Sequence, residues 1–393
     1  MLLARMIREW TWLAVVGFGF GSLVAGDAPA PGPRFTEVYQ AGESGFHTFR
    51  IPSLLATRTG TLLAFAEARR DGAADAGDID LVVKRSRDGG GTWSPAQVIG
   101  DKGPNTFGNP CPVLDRTTGT IWLLTTQNRG TDREQDIIAG TSHGTRTVWV
   151  LKSTDDGETW STPVEITGSV KQPGWTWYAT GPGVGIQTKG GRLVIPANHA
   201  EKATAAGPAV HRSHIVYSDD GGGRWTIGAS AGAGTNESQI VELGDGRLLL
   251  NMRNHPPRAD NFRMVATSAD GGRTLSGATA DRALIEPPAQ ASLIAVRDGD
   301  GAGRQRLIFA NPASTRRERL TVRVSEDDGA TWPVARVVHK GPAAYSSLAA
   351  LTDGAIGLLF ERGDRSPYER ITFARLTRQW LAAGPTSGSP TVP

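Results

Sequence analysis

S-R-D-G-G-G-T-W at Ser86–Trp93, S-T-D-D-G-E-T-W at Ser153–Trp160 and S-E-D-D-G-A-T-W at Ser325–Trp332 are three copies of one pattern, S-x-D-x-G-x-T-W. Two looser copies begin at Ser218, where Arg224 stands in the Thr position, and at Ser268, where Leu275 stands in the Trp position. Each copy reads as a hairpin turn. The Asp carboxylate can accept bonds from nearby backbone N–H groups, the Gly supplies a positive φ, and the Trp covers an apolar interior. β-rich segments run into these turns at Asp80–Lys84, Thr147–Leu151, His214–Tyr217 and Leu320–Val324. The five starts lie 67, 65, 50 and 57 residues apart, a spacing that suits a four-stranded unit with generous loops on one side. Second strands are expected at Thr61–Phe65, Thr120–Thr125, Arg192–Pro196, Arg247–Asn251, Arg306–Ala310 and Ala355–Phe360. Six second strands predict an all-β, six-bladed β-propeller.

Composition points the same way. In 393 residues there are 50 Gly and 11 Trp, with 38% hydrophobic residues and no long Ala/Leu/Glu/Lys stretches, which excludes a helical bundle and a disordered chain. The net charge is +3, but Arg5, Arg8 and Glu9 supply +1 of it, and from Asp27 onward 40 basic residues face 38 acidic ones. That balance lacks the basic footprint of a nucleic-acid binder. Residues 1–26 carry two arginines, then an uncharged run, then small residues, and so predict a signal peptide, with an uncleaved anchor as the alternative. A secreted or periplasmic location follows, with no stable membrane association after cleavage. Residues 27–33 form a Pro-rich linker, 34–381 the propeller, and 382–393 a disordered tail with a short helical end before it. Cys111 is the only cysteine, so no internal disulfide can form. The seven His are scattered without zinc-ligand spacing, and neither a metal nor another cofactor is expected.

The repeat is the Asp box, and with it the chain resembles the exo-α-sialidase (neuraminidase) superfamily, including the bacterial-type enzymes of glycoside hydrolase family 33. F-R-I-P at Phe49–Pro52 matches that family's hallmark before the first Asp box. The resemblance implies a three-arginine clamp for the carboxylate of sialic acid, made of Arg50, Arg253 in N-M-R-N, and Arg317 in the stretch N-P-A-S-T-R-R-E-R. Planar guanidinium groups suit that task because they bind a carboxylate through paired, charge-assisted bonds. Arg316 and Arg319 stand close enough to compete for the third place; Arg317 is chosen because it precedes the L-T-V-R strand by three residues.

The stretch from Ala64 to Ser86 offers several acids, and the family pattern puts the acid/base role on Asp75, with Asp71 and Asp78 as alternatives. Arg69 matches a substrate-contacting arginine, with Arg70 adjacent. G-P-A-A-Y-S-S-L places Tyr345 in the nucleophile motif, and T-N-E-S-Q-I-V-E-L places Glu237 where the family keeps the partner that accepts the phenol proton. The substrate's own carboxylate would repel a carboxylate nucleophile, and a neutral phenol avoids this, although a hydroxyl of ordinary pKa about 10 needs a base. G-N-P-C-P, W-Y-A-T-G-P-G and I-P-A-N-H resemble pocket-lining loops, Tyr178 being either a sugar contact or a packed ring and Cys111 a packed thiol. Departures are small: Ser238 stands where relatives often have Cys, and two Asp boxes are imperfect.

The resemblance implies hydrolysis of terminal α-linked sialic acid from glycoproteins, glycolipids or oligosaccharides with retention, through a tyrosyl intermediate. A trans-sialidase or intramolecular sialidase would use the same residues and pass the intermediate to a sugar hydroxyl. A non-catalytic glycan-binding Asp-box propeller is the alternative from another class, and it would not need all of these positions together.

Overall fold

The structure, a computed structural model, describes residues 32–203, 207–255, 260–297 and 303–382. The expected signal peptide 1–26, most of the Pro-rich linker and the tail from residue 383 lie outside the described residues. Among the described residues the chain is built from strands, with three short α-helices, α1 (Glu134–Ala139), α2 (Thr167–Val170) and α3 (Arg378–Ala382), and a single 3-10 turn at Glu43–Gly45.

After β1 (Arg34–Gln40), an antiparallel group is formed by β2 (Thr48–Ala56), β3 (Leu62–Arg69), β4 (Ile79–Ser86) and β5 (Gln97–Gly100). The next holds β6 (Thr106–Leu114), β7 (Ile121–Asn128), β8 (Thr147–Ser153) and β9 (Val164–Glu165), joined to the first by one parallel bridge between Ile79 and Thr106. A third sheet contains β10 (Trp175–Thr180), β11 (Ile186–Gln187), β12 (Leu193–Glu201), β13 (Val210–Ser218) and β14 (Thr226–Ser230). The fourth has β15 (Thr235–Glu242), β16 (Leu248–Asn254), β17 (Phe262–Ser268) and β18 (Thr279–Ile285). The last sheet runs β19 (Ser292–Arg297), β20 (Gln305–Pro312), β21 (Glu318–Ser325), β22 (Val334–Ala350), β23 (Ile356–Arg362) and β24 (Arg370–Leu376), and ends on β1. β22 is 17 residues long, pairing with β21 in its first half and β23 in its second. The expected second strands are β3, β7, β12, β16, β20 and β23, and the N-terminal strand closes against β24, with Phe35 opposite Ala374.

Strand alternation decides where the core sits. β3, L-L-A-F-A-E-A-R, is buried on both faces, so apolar side chains leave each sheet in both directions to meet the neighbouring sheets. One apolar cluster joins β3 and β4 to β7 through Leu63, Phe65, Val83 and Leu123, another joins β7 to β12 and β13, and a third β12 and β13 to β16. Two more link β16 to β20 and β20 to β23. A sixth joins β23 and β24 back to β2 and β3 through Leu359, Phe373, Leu54 and Ala64.

The Asp boxes close the far ends of β4, β8, β13, β17 and β21. In the first, Ser86 Oγ donates to Asp88 Oδ1 at 2.8 Å, while Asp88 accepts the Thr92 N–H at 2.9 Å and the Thr92 hydroxyl at 2.7 Å. These bonds, led by the Thr92 N–H, hold the Asp88 pKa down at about 2. Gly90 sits at φ 93°, and a Cβ there would fall 2.0 Å from the Phe373 ring, so only glycine fits.

At the opposite ends the pairing is irregular. Register shifts interrupt the β2–β3 ladder between Arg50 and Ser53, β6–β7 between Gly108 and Cys111, and β10–β12 between Trp175 and Tyr178. Further shifts fall between Thr235 and Ser238 in β15–β16 and between Ala343 and Ser346 in β22–β23. Such bulges re-aim side chains, and Ile51 and Asn109 take positive φ at two of them, 58° and 55°.

Candidate functional site

The bulged ends converge on a cavity of about 550 Å³, lined in part by Arg50, Arg69, Asp75, Glu237, Arg253, Arg317 and Tyr345. All seven residues expected from the sequence therefore face one space. They come from β2, β3, the β3–β4 loop, β15, β16, the β20–β21 loop and β22. A larger concavity of about 830 Å³ lies at the Asp-box end beside Asp88 and Asp353, without a comparable convergence of arginines on a phenol.

Tyr345 and Glu237 form the centre. The Tyr345 hydroxyl donates to Glu237 Oε1 at 2.5 Å, and Arg253 Nη1 reaches Glu237 Oε2 at 2.8 Å and the phenol oxygen at 3.5 Å. Burial and the Glu237 charge push the phenol pKa well up, against the opposing pull of Arg253, Arg317 and Arg50. The resting phenol is neutral. The Arg50 and Arg317 guanidinium carbons lie 5.1 Å and 5.4 Å from the Tyr345 ring centre, so three cations surround it.

Arg50 and Arg317 are each held by further partners. Arg50 donates through Nε and Nη2 to the two oxygens of Glu361, at 3.1 Å and 3.3 Å, and through Nη1 to Asp75 at 3.2 Å. Glu361 also accepts the Ile51 N–H at 2.9 Å and the Tyr345 N–H at 3.1 Å. One buried carboxylate thus fixes both the first arginine and the backbone of the phenol. Although burial disfavours the Arg50 charge, Glu361 and Asp75 hold its pKa above the ordinary value. Arg317 donates to the Tyr368 hydroxyl and, at 2.9 Å, to the Pro288 carbonyl, while Arg316 is turned outward to Glu318.

Asp75 projects from the β3–β4 loop with its side chain 65% exposed, held by Arg69 Nη2 at 2.8 Å and Arg50 Nη1 at 3.2 Å. Burial raises its pKa, but Arg69, Arg50 and Arg146 outweigh this and hold it below the usual carboxylate value. Of the alternatives, Asp78 pairs with Arg70 at 3.2 Å, and Arg70 also binds Asp80 at 2.6 Å. Asp71, Asp78 and Arg70 do not line the cavity.

Sequence reasoning missed a second set of residues. Glu67, Glu134, Arg146, Asn236 and Tyr368 line the cavity, and Glu361 lies behind it. Arg146 donates to Asn109 Oδ1 at 2.6 Å and lies 4.0 Å from the Trp177 ring centre; burial lowers its pKa to about 10, leaving it a cation at neutrality. Glu134, on α1, is pushed up to about 7 by burial, with Arg146 opposing and Asp75 assisting. Asn109, Trp177 and Asn198 fall in the stretches read as pocket loops, whereas Tyr178 and Cys111 are wholly buried in one apolar cluster and pack. Among the described residues no group of three or more His, Cys, Asp or Glu could hold a metal ion.

The profile of the BNR repeat-like domain matches residues 60–358. The chain is 37% identical over 391 residues to a sialidase of Micromonospora viridifaciens, covering 93% of this chain and 58% of that protein. It is 33% identical over 375 residues to an exo-alpha-sialidase of Arthroderma benhamiae, covering 87% of this chain and 86% of the relative. Among solved structures, a Hadza microbial sialidase superposes with a TM-score of 0.80 at 32% identity, covering 88% of this chain and 69% of its own.

Proposed function

This chain belongs to the BNR-repeat sialidase family, and we propose that it is an exo-sialidase that releases terminal α-linked sialic acid from glycoproteins, glycolipids or oligosaccharides with retention, through a covalent intermediate on Tyr345. The observation that carries the mechanism is the 2.5 Å bond from the Tyr345 hydroxyl to Glu237 inside an arginine-lined cavity. The substrate carboxylate docks on Arg50, Arg253 and Arg317. As the Tyr345 oxygen bonds to the anomeric carbon, the phenol proton passes to Glu237, the glycosidic bond breaks, and Asp75 protonates the departing oxygen.

Asp75 is ionised in the resting site, so the proton must be held by the complex. An arriving carboxylate brings negative charge beside Asp75, competes for Arg50, and excludes water from a mostly exposed group; all three raise its proton affinity. In the second half, Asp75 takes a proton from water, the hydroxyl attacks the anomeric carbon, and Glu237 returns its proton to the departing phenolate. Two displacements on one carbon give net retention.

For the scaffold, the reading is a six-bladed propeller, with β22 shared by two blades; six apolar clusters linking successive groups of strands in a closed cycle support it. For location, residues 1–26 support export. The test of the chemistry is proton NMR of the purified protein with a fluorogenic α-sialoside and with sialyllactose. The α-anomer should appear first; the β-anomer appearing first would overturn the double displacement.

A further inference from the structure

Glu67 stands two residues before Arg69 on β3, so the two side chains share a face, and both are buried. Arg69 Nε and Nη2 both donate to Glu67 Oε2, at 3.1 Å and 2.6 Å. The other oxygen, Oε1, accepts the N–H of Asn109 at 2.8 Å, from the bulge of β6 in the neighbouring group of strands. Space around this carboxylate is tight: a Cβ on Gly108 would lie 2.3 Å from Oε1. Beyond Glu67, Arg69 holds the loop that carries the acid, donating to the Ala73 carbonyl at 2.6 Å and meeting Asp75 at 2.8 Å. Glu67 touches neither Asp75 nor the carboxylate clamp in these bonds, yet Arg69 is shared between it and Asp75.

We propose that Glu67 is a positioning residue for acid/base catalysis: clamped between β3 and the β6 bulge, it fixes the Arg69 guanidinium and offsets its charge, so that Asp75 is held in place and can still carry a proton in the complex. A buried guanidinium facing Asp75 alone would place Asp75 correctly but keep it ionised. The charged groups around Asp75 are Arg69 on β3, Arg50 on β2, Arg146 before β8 and Glu134 on α1; those around Glu67 are Arg69 and Arg146. Among them Glu67 is the carboxylate bonded to Arg69 from behind.

The proposal rests on Asp75 as the acid, and the experiment separates the two claims. kcat/KM is measured across pH for sialyllactose and for an aryl α-sialoside with an acidic phenol, in the wild type and in Asp75→Ala, Glu67→Gln and Gly108→Ala. Asp75→Ala must lose far more on sialyllactose than on the aryl sialoside; an equal loss overturns the assignment of Asp75 on which the proposal stands. With that control met, Glu67→Gln should lose roughly tenfold on sialyllactose and less than about threefold on the aryl sialoside. Its alkaline limb on sialyllactose should move to lower pH, because removing a negative charge behind Arg69 makes Asp75 give up its proton sooner. Gly108→Ala, which crowds Glu67 from the far side, should repeat the pattern more weakly. Equal losses on both substrates with an unmoved alkaline limb would overturn the proposal; if Glu67→Gln does not fold, Gly108→Ala decides by the same two outcomes.

Discussion

The two ends of the strands are built by opposite rules. At the Asp-box end each turn is closed within four residues, as when Asp88 accepts from Thr92 and Gly90 donates to Ser86 Oγ, and the device recurs with other residues at Asp155, Asp270 and Asp327. At the pocket end the bonds that make the site span 25 residues from Arg50 to Asp75, 108 from Glu237 to Tyr345 and 311 from Arg50 to Glu361. The near end is local, repeated and largely solvent-facing; the pocket end is non-local, made once, and places charged groups in the interior. The Glu237–Tyr345 and Arg50–Glu361 bonds exist only when β15 has met β22 and β2 has met β23, so the proposed chemistry sits where the fold is most collective.

The largest expected effect comes from breaking the pocket end at its centre. Tyr345→Phe removes one hydroxyl, leaves Glu237 paired with Arg253, and should reduce turnover by at least about 10³-fold while substrate still binds. Its melting temperature should stay within a few degrees of wild type. Near-normal release of sialic acid from sialyllactose by this variant would remove Tyr345 from the nucleophile's role and with it the chemical half of the contrast.

That asymmetry also explains what the sequence disclosed. The Asp boxes were legible because each is written in eight consecutive residues, and the strands entering four of them followed from the β-rich runs before Ser86, Ser153, Ser218 and Ser325; the strand before Ser268, β17, was not read. The seven pocket residues were legible only through resemblance to a family; no spacing in this chain points from Arg50 to Tyr345. Glu361 was invisible because it stands near the end of an ordinary strand, I-G-L-L-F-E-R, and its partners Arg50 and Ile51 lie 311 and 310 residues away in the chain. Glu67 did leave a trace: in L-L-A-F-A-E-A-R a charge occupies the face shared by Phe65 and Arg69, where burial on both sides would favour another apolar residue. Arg146 and Glu134, near the β7–β8 loop, left no such mark, since loop composition does not reveal which side chains turn inward.

Gly90→Ala attacks the Asp-box end where it meets the core. The new methyl would strike the Phe373 ring at a backbone φ of 93°, so a loss of about 2–3 kcal/mol is expected from overpacking and strain together. Chemical denaturation should report that loss while kcat/KM of the folded fraction stays near wild type. A variant of normal stability with altered catalysis would reverse the division of labour between the ends.

A smaller effect probes the interior polar groups beneath the pocket wall. His199 and His214 are both fully buried and linked Nδ1 to Nδ1 at 3.0 Å, with His199 stacked on Trp175 at 3.5 Å between ring centres. Burial lowers the His199 pKa to about 3 and drives that of His214 well below normal. The unfolded chain binds protons as pH falls through about 6.5 while the folded chain does not, so stability is full above that value and lost towards pH 3. Between pH 7 and pH 6 the pair should account for a loss of about 1 kcal/mol, with the other titrating groups adding their own terms. His199→Gln should flatten the fall of the melting temperature over that interval; an unchanged slope would assign the acid sensitivity elsewhere.

The smallest test compares Asp boxes with one another. In the copy at Ser218, Asp220 accepts the Arg224 N–H at 2.9 Å, but with Arg in the Thr position there is no hydroxyl to donate to its second oxygen, as Thr92 donates to Asp88 at 2.7 Å. Arg224→Thr should supply that bond, and because the turn is exposed the gain should be near the low end for a hydrogen bond, about 0.5 kcal/mol. A rise in melting temperature of about 1 °C is the expected reading for a chain of this length. The third apolar cluster enters the same balance, because Trp225 packs in it and any shift of the turn that carried the indole outward would cost more than the new bond returns. Stabilisation would show that the boxes are interchangeable local modules, whereas a loss would show that this copy has been adapted to its neighbours, a property otherwise confined to the pocket end.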